Sequence, residues 1–157
     1  MSKILDLYLA DPCPPRIRLL DDMIRIMLGG SGVKEGTGLT DFGIVVIDTD
    51  GSVTKNDTLK STPGGDRFGD HWHVLKSELT DLVRSPDFLE SHRMQRPSSA
   101  ACQACPELAI CGGGMVTHRF STENGYANPT VFCADQKLLI ARMRAHLSRQ
   151  IGQREAA

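Results

Sequence analysis

The sequence predicts an α+β fold: a small antiparallel β-hairpin or sheet with flanking helices, followed by a loop-rich region built on four cysteines. Three observations carry this expectation. Apolar residues recur at helical spacing between Arg16 and Leu28, a β-branched run meets an Asp-Gly turn near residue 50, and an amphipathic stretch closes the chain. The chain has 157 residues, enough for one domain with its own core.

Taken in order, Ile17, Leu19, Leu20, Met23, Ile24, Met27 and Leu28 mark one buried helical face, with Pro14 and Pro15 before it and Gly29-Gly30 as its stop. Residues 1–35 thus read as an N-terminal helix and linker. SGVKEGTGLTDFG, rich in glycine and without a period, reads as a loop. Gly43 to Thr49 is the strongest strand, and Asp50-Gly51 predicts a two-residue hairpin turn into SVTKND. Beyond the loop KSTPGGDRFGD, two short helices are expected over Trp72 to Val83 and Asp87 to Met94, the second capped by Ser85 with Pro86 in its first turn. Residues 36–101 therefore hold the hairpin and helices, and 102–133 the cysteine region. Residues 134–150 form a closing helix with Leu138, Leu139, Met143 and Leu147 on its dry side and Arg142, Arg144 and Arg149 on its wet side. The polar tail GQREAA is expected to fray.

Lys and Arg total 18 against 19 Asp and Glu, for a formal net charge of -1. No strong field is directed at nucleic acid or an anionic membrane, so neither is expected as a partner. The opening MSKILDLYLADP lacks the apolar core of a signal peptide, and no stretch approaches the ~20 apolar residues of a membrane span. The expected location is the cytoplasm, where clustered cysteines serve more often as metal ligands or redox groups than as disulfides.

Cys102, Cys105, Cys111 and Cys133 form the pattern C-x2-C-x5-C-x21-C, with Gly112 to Gly114 directly after the third. Four thiolates complete the coordination of one tetrahedral ion or one cubane cluster. The x2 spacing lets two sulfurs of one turn face a common centre, and Pro106 helps hold that turn. The glycines let backbone approach a bulky centre and offer amides to its sulfurs. Spacing alone does not separate zinc from iron-sulfur. Zinc sites commonly use two knuckles, and the single knuckle here favours a cluster.

The segment from Cys102 to Ile140 resembles the SPASM domain of radical S-adenosylmethionine peptide and sulfatase maturases. The shared features are the C-x2-C-x5-C-GG knuckle, the step His118-Arg119-Phe120, the loop from Asn124 to Pro129, and a final Cys followed by Asp and a helix. With the hairpin GIVVIDTDGSVTKNDTLK, which is similar more weakly, the resemblance spans residues 36 to 147. It implies a SPASM-like domain of residues 1–157 holding one 4Fe-4S cluster on Cys102, Cys105, Cys111 and Cys133. The amides of Gly113 and Gly114 read as donors around it, and His118 either as a donor to a cluster sulfur or as a partner in a structural hydrogen bond. The family's other auxiliary cluster needs cysteines where this chain has Asn56 and Met115, so that site reads as lost. The resemblance further implies a radical barrel as partner, in cis or in trans, and a peptide or protein substrate. The barrel would bind S-adenosylmethionine; its C-x3-C-x2-C motif does not occur here, so the chain is not expected to be catalytic by itself.

Two further functions stand beside a cluster domain serving electron transfer or substrate engagement. One is a zinc-stabilised interaction module, and the other a dithiol redox protein using Cys102 and Cys105, against which the missing βαβ setting counts. Cys13, between Pro12 and Pro14, reads as a spare thiol. His71 and His73 read as one surface and one packing histidine, and Asp48, Asp50 and Asp57 as turn residues rather than a catalytic carboxylate pair.

Overall fold

A computed structural model of the chain describes residues 2–39 and 43–155. Among the described residues, seven α-helices and one three-stranded antiparallel sheet make an α+β fold. The loop expected over residues 31–43 lies partly outside the described residues, as do the last two residues of the tail.

The chain begins with a helix that the sequence reading did not separate, α1 (Ser2–Ala10), and continues into α2 (Arg18–Met27). Leu5 on α1 is buried, and Tyr8 and Leu9 pack beside it. They join Leu20 and Met23 of α2, Ile110 of α6 (Leu108–Cys111), and Leu139, Ile140 and Met143 of α7 (Cys133–Glu155) in the main core. Each such side chain contributes about 1.5–3 kcal/mol when fully withdrawn from water. The buried stripe of α7 is therefore 139/140/143; Leu138, expected inside, is 54% exposed. Arg142 pairs with Asp6 and Arg144 with Glu107, so two of the expected wet-side arginines bind the closing helix to α1 and to the cysteine region. The helix extends to Glu155, through most of the expected frayed tail.

The sheet departs from expectation in three ways. Only Val46–Ile47 (β1) of the long apolar run is strand, paired with Ser52–Thr54 (β2) in the register Ile47↔Val53. The turn holds three residues, not two: Asp48 and Ser52 are joined through Asp48 N–H to Ser52 O at 2.9 Å, and Gly51 takes the left-handed conformation, φ 86°. Trp72–His73, expected as the start of a helix, is the third strand, β3, with Val53 opposite Trp72. His73 Nε2 reaches Asp50 O at 2.8 Å, while its Nδ1 accepts from Leu75 N–H. Pairing with β2 and these contacts override the local helical pattern, and helix α3 spans only Leu79–Arg84. Val53, Phe68 and Leu82 form a second core under the sheet, flanked by Val45, Trp72 and Phe88. Helix α4 (Pro86–Met94) begins as expected, with Ser85 Oγ accepting from Phe88 N–H.

The carboxylates near the hairpin serve structure. Asp50 accepts from Ser52 N–H, which holds its carboxyl below the usual range, and Asp48 faces Lys60 at 3.8 Å.

Tyr8 Oη donates to Asp21, linking α1 to α2. Burial, then the Asp21 hydrogen bond and charge, push the Tyr8 hydroxyl from 10.0 up to about 12. The folded state thus favours neutral tyrosine, and the linked stability is complete below the unfolded value and lost as pH rises through the folded one. Tyr8→Phe is expected to cost about 1 kcal/mol near neutral pH. The variant should also lose less stability than wild type as pH rises from 10.0 to about 12, as read from urea midpoints.

Candidate metal centre

Three short segments carry the four cysteines to one place. Ser99 caps helix α5 (Ala100–Gln103), its Oγ accepting from Cys102 N–H, and Cys105 N–H donates to Cys102 O to close the first turn. Cys111 ends α6, where Gly112 N–H bonds to Leu108 O at 2.8 Å and Gly112 is left-handed, φ 64°. A Cβ on Gly112 would overlap the Gly38 carbonyl, so only glycine lets the cysteine turn close against the segment leaving α2. Cys133 arrives as the first residue of α7, with its N–H on Thr130 O at 2.9 Å.

All four cysteines line a single cavity of about 60 Å³, together with Gly113, Thr130 and Lys137 among others. Cys102 is buried and the other three are half-buried. Burial pushes the Cys111 thiol up, Gly113 N–H pulls it down by donating to it, and the charges of Cys133, Cys102 and Cys105 push it up further. Cys13 is exposed. Among the described residues, no group of three or more His, Cys, Asp or Glu side chains is arranged to hold a metal ion.

Of the expected donors, Gly113 lies on the cavity wall and donates to Cys111. Gly114 packs its backbone against Thr130, a Cβ there meeting Thr130 Cβ at 3.1 Å. His118 stands edge-on to Phe132, ring centroids 5.0 Å apart, and its carbonyl accepts from Val131 N–H. His71 is exposed, and the ring of His73 on β3 bonds to Asp50 O of the hairpin turn.

Sequence reasoning passed over two residues. Asn128 Nδ2 donates to Arg119 O at 2.9 Å and to Gly125 O at 3.0 Å, shaping the loop that delivers Cys133. Arg119 itself is 1% exposed. Its burial could be suspected only from its place within His118-Arg119-Phe120, since nothing local in the sequence marks an arginine as buried.

The two positions assigned to the lost cluster are occupied by other contacts. Asn56 Nδ2 donates to Glu35 Oε2 at 2.7 Å while Asn56 Oδ1 accepts from Thr58 N–H. Met115 packs on the adjacent Gly36, where an added Cβ would meet Met115 Cγ at 2.9 Å. A carboxamide bonded to a carboxylate and a packed thioether do not fit the ligands of an iron-sulfur centre at those two positions.

No family model matches the chain, and no curated protein matches it. Among solved structures it is similar to native anSMEcpe with bound AdoMet and Cp18Cys peptide, at TM-score 0.74 and 19% identity, covering 99% of this chain and 42% of that one. The form with bound AdoMet and Kp18Cys peptide gives TM-score 0.73 at the same identity, and the form with AdoMet alone gives 0.74 over 96% of this chain. At this identity the likeness shows the fold. The chain spans about 42% of the length of the first two of these structures.

The Gly112 constraint yields a paired test. Gly29 is also left-handed, φ 87°, but a Cβ there meets nothing within 4 Å. Gly29→Ala is expected to cost about 1 kcal/mol and Gly112→Ala at least about twice that, measured by chemical denaturation.

Proposed function

We propose that this chain is a SPASM-type auxiliary domain of a radical S-adenosylmethionine maturase acting on peptides or sulfatases. On this reading residues 1–157 form one domain, with Cys102, Cys105, Cys111 and Cys133 holding one 4Fe-4S cluster. The observation that carries this reading is the convergence of those four thiols, from α5, α6 and α7, on one cavity. The likeness in fold to anSMEcpe supports it, because the same cysteine pattern and loop motifs suggested a maturase domain.

The single x2 knuckle favours a cluster over zinc, since zinc sites commonly use two. Bound there, the cluster would supply one-electron transfer. The chain's own groups prepare the place: Gly113 N–H donates to the Cys111 sulfur, half-burial limits water, and Lys137 adds a cation at the wall. The contacts of Asn56 and Met115 support one cluster rather than two.

Four cysteines leave no open iron for S-adenosylmethionine, so this chain's part is electron relay or substrate engagement beside a radical barrel, supplied in cis or in trans. The solved neighbours carry AdoMet and peptides, and we extend a peptide substrate to this chain. No helix of the described residues is long and apolar enough to cross a membrane. We assign the protein to the cytoplasm, whose reducing setting suits clustered cysteines that bind metal.

Anaerobic reconstitution tests the reading. Wild type should take up about four irons and four sulfides and turn brown, and Cys102→Ala, Cys105→Ala, Cys111→Ala and Cys133→Ala should each lose iron and stability, whereas Cys13→Ala should not. Equal iron in Cys133→Ala and wild type overturns the ligand set, and colourless stoichiometric zinc after anaerobic purification overturns the cluster. With its cluster full, the chain alone should form no 5'-deoxyadenosine from S-adenosylmethionine under strong reductant. Sustained product that vanishes in Cys111→Ala would show an open iron instead.

A further inference from the structure

The largest fully buried side chain among the described residues is charged. Arg119, 1% exposed, closes the short 3-10 turn Val116–Arg119. A guanidinium keeps its proton in proteins, and burying one without a counter-charge costs several kcal/mol. Its Nη2 donates to Met94 O at 2.7 Å and Gln95 O at 2.9 Å, at the C-terminal end of α4, where a cation meets the negative end of the helix dipole. These are dipoles, not a full charge. Its Nε has no hydrogen-bond partner among the described residues. Burial lowers its pKa, and the opposing influences are the charges of Cys102 and Cys111, two of the four thiols around the cavity.

The same side chain reaches the site mechanically. The carbonyls it holds precede Pro97, whose ring faces Gly113 so closely that a Cβ there would meet Pro97 Cγ at 2.6 Å. Pro97 O accepts from Gln103 Nε2, on the helix that carries Cys102. Arg119 is thereby tied, through residues 94–97, to the helix that carries Cys102 and to the Cys111-Gly113 turn.

We infer that Arg119 is the fixed counter-charge of the four-cysteine site, a positioning residue that raises the reduction potential of the cluster held by Cys102, Cys105, Cys111 and Cys133. The inference rests on the cluster reading above. When the cluster accepts one electron from a reductant its charge becomes more negative by one, and a buried cation nearby favours that reduced form. A purely structural clamp on the exit of α4 would need the fork of donors but not the charge.

The full chain is reconstituted anaerobically as wild type, Arg119→Gln and Arg119→Lys, and each is titrated with dithionite through redox mediators while the reduced cluster is followed by EPR. Iron content and thermal unfolding are measured on the same samples. Arg119→Gln is expected to shift the midpoint to lower potential, and Arg119→Lys to return most of that shift while both variants melt below wild type. Loading of Arg119→Lys but not Arg119→Gln also supports the inference, because the two differ in charge. Equal midpoints in all three proteins overturn it, as does an equal fall in both variants or failure of both to load, since each outcome assigns Arg119 to shape alone. Wild type that takes up no iron fails the cluster reading itself, and the inference with it, which separates the two failures.

Discussion

The close backbone approach at Gly112 to Gly114 is the constraint on which the arrangement depends. Three consecutive left-handed residues let three distant segments touch the cysteine turn: Gly38 against Gly112, Pro97 against Gly113, and Thr130 against Gly114. Those segments lead from α2, from α4 and into α7. A side chain at Gly112 would hold the first of them away, and α6 would lose its seat between α2 and α7. The packing of the main core and the convergence of the thiols thus follow from the same turn.

Around that turn, charge and polarity are distributed unevenly. The cavity lining includes Lys137 and Gly113, and elsewhere in the same region the cation of Arg119 is buried with only carbonyl partners among the described residues. Glu107, also on the wall, is neutralised by Arg144 through a two-point ion pair. The one carboxylate named on the cavity wall therefore has its charge answered by a cation from α7. Such surroundings suit a centre that is held by thiolates and carries net negative charge.

The hairpin is held by hydrogen bonds and apolar packing. Glu35 and Gly36 bring together Asn56, at the start of the turn after β2, and Met115, at the end of the glycine run. The two positions are bridged by a short polar contact and a thioether fill, with no need of a metal to join them. The hairpin's own turn is set by Asp50 and Gly51, and its third strand by the pairing of Trp72 with Val53.

Much of this was present in the sequence because it depends on local pattern. The helical period of α2, the Ser85 cap of α4, the amphipathic closing helix and the spacing of the four cysteines are properties of residues close together in the chain. Local pattern failed where a partner distant in sequence outweighed it. Trp72 and His73 follow a helical spacing but pair with β2, Leu138 gives way to Ile140 in the core, and α1 owes its place to contacts with α2 and α7. The sequence by itself determined the α+β class and which thiols stand as candidate ligands, since composition and short-range spacing suffice for both. Only the tertiary structure decided that these thiols share one cavity, that Asn56 and Met115 are tied through Glu35 and Gly36, and that Arg119 is buried against the end of α4. Burial and electrostatic pairing are set by which segments meet in space, and no local pattern records that.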